Sequence, residues 1–152
     1  METEFKERLQ RALREDGAQR KVREIAEDIL TLKCPRCRSA FLDYEGCAAL
    51  TCATCRCGFC AYCLRDCGRD AHGHVPDCAV AIEIGNRKKI RFGMFPDRPG
   101  STDRSMWSLF LRERQGDRVK EAVRGLEAED RAEVMRLLNP LLNERGIQLR
   151  EF

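Results

Sequence analysis

The feature that most constrains this chain is the clustering of its cysteines. All ten cysteines and both histidines lie within residues 34–78 of the 152-residue sequence. Six of the cysteines form CxxC pairs, namely Cys34 with Cys37, Cys52 with Cys55 and Cys60 with Cys63. Two intervening residues let the backbone curl so that both sulfurs reach one ion at about 2.3 Å. A chain with this stretch is therefore expected to fold around thiolate-bound metal, with two zinc ions as cofactors.

Each CxxC pair supplies half of a tetrahedral zinc site. We predict that the first two pairs form an all-cysteine site, and that the third pair combines with a downstream histidine and cysteine. The predicted ligands are Cys34, Cys37, Cys52, Cys55, Cys60, Cys63, His74 and Cys78. Only one histidine is needed, and His74, which is closer to Cys78, is favoured over His72. Cys57, Cys67 and His72 are the alternate ligands, whereas Cys47 stands alone between two pairs.

Ten cysteines in a short stretch also fit a disulfide framework, which requires an oxidising compartment. Residues 1–33 are densely charged and lack the apolar core of a signal peptide, so the reducing cytoplasm or nucleus is the expected location. No apolar run is long enough to cross a membrane, and no membrane association is predicted.

The formal net charge of +3 does not by itself indicate a nucleic-acid partner. Once the predicted ligand thiolates and two zinc ions are counted, the charge falls to about neutral. A basic surface must then be local, and the one candidate is the run Arg87, Lys88, Lys89 and Arg91, which is followed by Phe92. A solvated strand or linker explains this run as well, so nucleic-acid binding is the weaker alternative.

The hydrophobic pattern predicts a small α+β zinc-binding domain with two structural zinc sites and short strands, flanked by α-helical extensions. Gly17 is expected to divide the first helical segment, whose apolar stripes are expected to pack on neighbouring elements. A helix from about residue 129 is expected to end before Pro140. The predicted parts are a helical segment at 1–33, a double-zinc domain at 34–84, a basic strand or loop linker at 85–105 and a helical segment at 106–152. Strands are expected at 40–44, 49–52 and 58–61.

The string CPRCRSAFLDYEGCAALTCATCRCGFCAYCLRDC resembles the last zinc domain of the RING-between-RING ubiquitin ligases. The order of features is similar: a CPxC pair, a loop ending in Gly46-Cys47, a second pair and then an FCxxC pair. The same skeleton also resembles the in-between-RING domain, and the tail HGHVPDC is similar to the histidine-containing end of some members.

In that family the lone cysteine after glycine accepts ubiquitin from a conjugating enzyme as a thioester and passes it to an amine. The resemblance implies this ligase role for Cys47, with ubiquitin or a ubiquitin-charged conjugating enzyme as partner. The family usually has a histidine two residues after this cysteine, whereas this chain has Ala49. A base must then come from elsewhere, and the candidates are His72, His74, Asp43, Glu45 and Asp66.

A different class of function remains open beside the ligase. The chain would then be a zinc-stabilised interaction module without chemistry of its own, because two zinc ions with four protein ligands each leave no open coordination position. Protein partners would bind the helical extensions or the exposed face of the zinc core, and Cys47 would be a small buried hydrophobe.

Overall fold

The computed structural model describes residues 2–41, 46–96 and 106–149. These residues form α-helices and one two-stranded sheet, which confirms the small α+β fold with helical extensions. The elements are α1 (Glu2–Asp28), β1 (Ala49–Thr51), β2 (Gly58–Cys60), a 3₁₀ helix (Val75–Asp77), α2 (Ala79–Lys88), α3 (Met106–Arg124) and α4 (Ala128–Glu144). The chain divides into two compact units. We call Thr31–Arg114 the zinc unit, and Met1–Leu30 together with Gln115–Phe152 the helical unit.

The sheet of the zinc unit is short, with three residues in each strand. Strands β1 and β2 pair antiparallel, with Leu50 opposite Phe59, and both side chains are buried. Two of the predicted strands are thus confirmed. Of the strand predicted at 40–44, Ala40 forms an isolated bridge with Lys33, and residues 42–44 lie outside the described part of the chain.

An aromatic cluster fills the core of the zinc unit. The Tyr62 ring lies 4.6 Å from the Phe110 ring and 6.2 Å from the Trp107 ring, measured between centroids. The buried guanidinium of Arg114 donates hydrogen bonds to the carbonyls of Ala61 and Tyr62, and it lies over the ring of Phe110. Because Ala61 and Tyr62 separate two cysteines of the third CxxC pair, the beginning of α3 holds that pair in place.

The segment after Cys78 is helical. Helix α2 extends to Lys88. Residues 85–88, which were predicted to begin the basic strand or loop linker, are therefore helical. The helix ends in a left-handed residue, Lys89, whose φ is 58°. Of the predicted linker, residues 97–105 lie outside the described part of the chain.

Two predicted breaks in the helical unit are wrong. Helix α1 continues through Gly17, because one interior glycine costs only about 1 kcal/mol relative to alanine. Helix α4 continues through Pro140 to Glu144. The buried side chains of Leu138 and Leu142 lie on either side of the proline, and burying a leucine contributes about 1.5–3 kcal/mol. Their burial offsets the roughly 3 kcal/mol that an interior proline costs.

The helical unit has an apolar core and one exposed apolar stripe. Its core consists of buried aliphatic side chains, which include Ile25, Val119, Val123, Val134, Leu138, Leu142 and Ile147. The stripe Phe5, Leu9 and Leu13 was expected to pack on neighbours, but these side chains are 67%, 49% and 63% exposed. We call these three residues the α1 stripe. Among the described residues, no helix has both the length and the hydrophobicity needed to cross a bilayer.

Candidate metal centres and the neighbouring thiol

The three CxxC pairs share one backbone conformation. In each pair, the residue that follows the second cysteine donates its N–H to the carbonyl of the first cysteine: Arg38 to Cys34 at 3.0 Å, Arg56 to Cys52 at 2.9 Å and Leu64 to Cys60 at 2.7 Å. The N–H of the first cysteine in turn donates to the carbonyl of the residue five positions on: Cys34 to Ser39, Cys52 to Cys57 and Cys60 to Arg65. The three CxxC pairs therefore form the same hydrogen-bonded turn, which we call a knuckle.

Each knuckle also contains a residue in the left-handed region, at the position after its second cysteine. These residues are Arg38, Arg56 and Leu64, with φ of 67°, 64° and 63°. Glycine is the residue that adopts this conformation without steric cost, and none of the three is glycine. The CxxC spacing predicts the turn, but no residue type at these positions signals the left-handed backbone.

The first cluster brings together Cys34, Cys37, Cys52 and Cys55, whose sulfurs all lie within 4.8 Å of one another. The Sγ atoms of Cys34 and Cys55 are 3.6 Å apart, as are those of Cys37 and Cys52. Four sulfurs at about 2.3 Å from a tetrahedral zinc ion are separated by about 3.8 Å, so the donor set fits one ion with no further ligand.

The second cluster brings together Cys60, Cys63, His74 and Cys78, whose ligand atoms also lie within 4.8 Å of one another. His74 contributes Nε2, which is 3.2 Å from the Sγ atom of Cys63. Three cysteines and one histidine are a donor set typical of structural zinc. The chain thus carries two clusters that fit two zinc ions, one of four cysteines and one of three cysteines and a histidine.

Hydrogen bonds favour a thiolate in each cluster. Ser39 hydrogen-bonds with Cys37 through its hydroxyl and its backbone, and lowers the pKa of that thiol to about 6. Hydrogen bonds with Cys60 and Cys63 lower the pKa of Cys78 to about 2. Because the thiolate is the form of cysteine that binds metal, each cluster has one sulfur suited to bind a cation at neutral pH.

The alternate ligands Cys57 and Cys67 lie outside both clusters among the described residues. Burial and a hydrogen bond with Asp66 raise the pKa of the Cys57 thiol to about 12, so it stays protonated and unreactive at neutral pH. Asp66 accepts two hydrogen bonds from the Arg36 guanidinium, at 2.9 and 3.0 Å. This ion pair holds the pKa of Asp66 below its usual range and occupies the carboxylate that was a candidate base.

Cys47 also lies outside both clusters, immediately before β1. Its neighbour Ala48 is fully buried, donates its N–H to the Met94 carbonyl at 2.7 Å and accepts from the Ala61 N–H at 2.8 Å. These bonds fix the backbone next to Cys47, while its own side chain remains partly exposed. Cys47 is therefore a partly exposed thiol on a backbone that hydrogen bonds hold in place. It is not the buried hydrophobe that the non-catalytic alternative expects.

The imidazole of His72 lies beside this thiol. Its Nε2 atom lies 3.9 Å from the Sγ atom of Cys47, and its Nδ1 atom lies 2.5 Å from Oδ1 of Asp70. The Asp70 carboxylate accepts from both the backbone N–H and the ring of His72, and these hydrogen bonds lower its pKa. An ionised Asp70 keeps the proton on Nδ1, so the lone pair of Nε2 faces the thiol.

Gly58 helps to place Asp70. A Cβ atom at Gly58 would lie 2.6 Å from the Asp70 backbone nitrogen and 2.7 Å from the Arg69 carbonyl carbon. The absence of a side chain at Gly58 therefore allows the close approach of the Arg69–Asp70 backbone. Sequence reasoning named His72 as a candidate base and missed Asp70, because nothing in the spacing of Asp70 and His72 distinguishes it from a surface turn.

Of the other candidate bases, His74 is in the second cluster and Asp66 pairs with Arg36. Asp43 and Glu45 lie outside the described residues. Of the basic run, Arg87 and Lys88 form ion pairs with Glu113, with nitrogen–oxygen distances of 3.4 and 2.6 Å. Half of the predicted basic surface is therefore engaged within the zinc unit.

Comparison with known proteins identifies one similar protein in two organisms. The chain is 30% identical over 70 residues to Cullin-9 of Mus musculus and to Cullin-9 of Homo sapiens. The similar region covers 46% of this chain and 3% of each Cullin-9, so the chain spans only a small part of the curated relatives that it matches. No family model matches the chain, and no solved structure matches it.

Proposed function

We propose that the zinc unit is a ubiquitin-transfer module in which Cys47 accepts ubiquitin as a thioester and passes it to an amine. The observation that carries the proposal is the alignment of Cys47, His72 and Asp70, with the thiol 3.9 Å from one ring nitrogen and the carboxylate 2.5 Å from the other. The resemblance of the cysteine skeleton to RING-between-RING ligases and the similarity to a part of Cullin-9 support the same pathway.

In the first step, the sulfur of Cys47 attacks the thioester carbonyl of ubiquitin on a conjugating enzyme. A new carbon–sulfur bond forms, the bond to the thiol of the conjugating enzyme breaks, and the proton of Cys47 passes through His72 Nε2 to that leaving thiolate. In the second step, an amine attacks the thioester carbonyl on Cys47, and His72 Nε2 accepts a proton from the amine. A carbon–nitrogen bond forms, the carbon–sulfur bond breaks, and the leaving Cys47 thiolate takes back the proton from His72, which gives an amide and a free Cys47 thiol.

His72 acts as the base in place of the histidine that the family usually has at the position of Ala49. The separation of 3.9 Å is longer than a productive hydrogen bond, but catalytic contacts are often loose before substrate binds. Asp70 orients the ring and favours the tautomer with a free Nε2, which is the role of the third member in cysteine and serine triads.

The two zinc clusters support the site without taking part in the chemistry. Each already has four protein ligands, so a bound zinc ion has no open position for a substrate or a water molecule. When bound, the zinc ions supply folding free energy and fix the knuckles around the site. Both the clusters and a nucleophilic thiol need reduced cysteines, and we propose the cytoplasm or nucleus as the compartment.

The first test is native mass spectrometry of the zinc-loaded protein after mixing with several ubiquitin-charged conjugating enzymes. We expect an adduct that is one ubiquitin heavier, is cleaved by a thiol reductant and is absent from Cys47→Ala. Cys67→Ser, which removes another thiol outside both clusters, is the matched control and should still form the adduct. Absence of the adduct from wild-type protein with every conjugating enzyme would refute the thioester.

The base is tested by the discharge of that adduct to free lysine. In His72→Gln we expect the adduct to form but its transfer to lysine to slow by about 100-fold, the lower range of general-base effects. Asp70→Asn should slow transfer less, whereas Glu83→Gln, an exposed acid on α2, should not. Zinc content must stay at two ions per chain in all these variants. Wild-type transfer by His72→Gln would show that His72 is not the base.

The second candidate function is the non-catalytic interaction module. The exposed α1 stripe favours it, because three large apolar side chains at a spacing of four residues are unusual on a solvent-facing helix. The two functions differ in the first test, since an interaction module forms no adduct on Cys47. They also differ in location: the interaction module uses the helical unit, and the transfer module uses the zinc unit.

A further inference from the structure

A groove in the zinc unit has no part in the zinc clusters or in the proposed thioester chemistry. Its volume is about 270 Å³, and it lies among the 3₁₀ helix, α2 and the residues that follow α2. Most of its lining is apolar, from Val75, Pro76, Ala81, Ile82, Ile90 and Phe92. A concave apolar surface of this size holds one or two medium-sized side chains.

The shape of the groove is set by the tight turn after α2. Lys89 adopts the left-handed conformation, and the N–H of Ile90 donates to the Gly85 carbonyl at 2.9 Å. A Cβ atom at Gly85 would lie 2.5 Å from the Ile90 carbonyl oxygen, so only glycine permits this approach. The groove is therefore part of the backbone architecture and not a gap between flexible side chains.

The rim of the groove exposes a large aliphatic side chain. Ile82, on the groove side of α2, is 51% exposed, while Ala81 and Gly85 beside it are buried. Helix α2 thus exposes one bulky apolar side chain, Ile82, to solvent beside an apolar cavity. An apolar occupant of the cavity would remove the exposed aliphatic side chain from water, and this burial favours binding.

The lining of the groove carries positive charge at Arg91. Arg91 is the one charged side chain among the described residues that line it, and Lys89 is two positions away. Whereas Arg87 and Lys88 pair with Glu113, Lys89 and Arg91 are exposed and have no ion pair among the described residues. Two cations suit one or two carboxylates, and they are too few for the run of phosphate contacts that nucleic-acid affinity requires.

We propose that this groove is a docking site for an acidic peptide segment of a partner protein. An aliphatic side chain of the peptide lies in the groove against Ile82, and an adjacent carboxylate pairs with Arg91 and Lys89. The charge complementarity selects an acidic partner, and the apolar lining selects an aliphatic residue beside the acid. The surface serves recruitment, and it does not depend on Cys47 being a nucleophile.

The test begins with random twelve-residue peptides displayed on phage, selected on the zinc-loaded full chain and counted against selection on Ile82→Asp. We expect the enriched peptides to share Asp or Glu beside Leu, Ile or Val. Enrichment that is equal on wild-type protein and Ile82→Asp, no enrichment at all, or enriched peptides without an acid would each overturn the proposal.

The enriched peptide is then labelled with fluorescein and titrated in an anisotropy assay. We expect Arg91→Glu to weaken binding by about tenfold or more, because one cross-interface charge pair is lost and a repulsion is added. Arg23→Glu, an exposed charge reversal on α1, is the matched control and should bind as the wild-type protein does. Binding unchanged by Arg91→Glu, or a 20-base-pair DNA duplex that displaces the peptide, would contradict the proposal.

Discussion

The zinc unit and the helical unit reach a folded state by different physical routes. In the zinc unit the strands have three residues each, and the buried core contains five cysteines, of which Cys57 alone lies outside the metal clusters. In the helical unit the elements are long helices, and the core is aliphatic with no cysteine. The first unit depends on ion coordination for its stability, and the second depends on burial of apolar surface.

Removal of zinc should give the largest effect and separate the two units most clearly. Structural zinc contributes about 10–16 kcal/mol to the folding of small domains, so a chelator should unfold the zinc unit. Trp107, the single tryptophan, lies in the core of that unit, and its fluorescence should shift to the red. Most of the circular dichroism signal at 222 nm should remain, because α1 and α4 belong to the helical unit.

Cys60→Ser should reproduce the chelator effect without a chelator, whereas Cys47→Ser should retain two zinc ions by native mass spectrometry. If the fluorescence and dichroism signals are lost together, the helical unit is not stable by its own core, and the distinction between the two routes is wrong.

The intermediate effect is a cavity in the helical unit. Leu138→Ala removes a fully buried side chain of α4 and should lower the free energy of unfolding by about 2–5 kcal/mol. Urea denaturation followed at 222 nm measures the loss, and zinc content should stay at two ions per chain. Loss of zinc from this variant would show that the aliphatic core also supports the metal clusters.

The smallest effect is expected on the α1 stripe. Leu9→Ser changes a side chain that is 49% exposed, and surface substitutions usually alter stability by no more than about 0.5 kcal/mol. Urea denaturation at several protein concentrations tests this expectation. A large loss of stability that grows with protein concentration would instead indicate that the stripe is buried between copies of the chain.

Ligand chemistry made the metal clusters predictable from sequence. Three CxxC pairs followed by a histidine and a cysteine are typical of zinc sites, and the all-cysteine and mixed clusters follow from pairing the first two knuckles and completing the third with His74 and Cys78. The eight metal ligands within residues 34–78 could therefore be assigned to two clusters without knowledge of the backbone.

Backbone details and long-range contacts were not predictable in the same way. The left-handed Arg38, Arg56 and Leu64 carry no glycine signal, and the approach of Asp70 to His72 depends on the close contact at Gly58. Local propensity predicts helix breaks at Gly17 and Pro140, because it disfavours both residues in a helix interior. Their cost is overcome by packing that involves residues far apart in sequence, which a local pattern does not contain.

The discontinuity of the helical unit has a consequence for synthesis on the ribosome. Its first segment, Met1–Leu30, emerges before the zinc unit, but its partner segment begins only at Gln115. The zinc unit is contiguous in sequence, so it can bind metal and fold before α4 has emerged from the ribosome. Until then Ile25 and its apolar neighbours on α1 have no core to enter, and the nascent chain presents that face to chaperones.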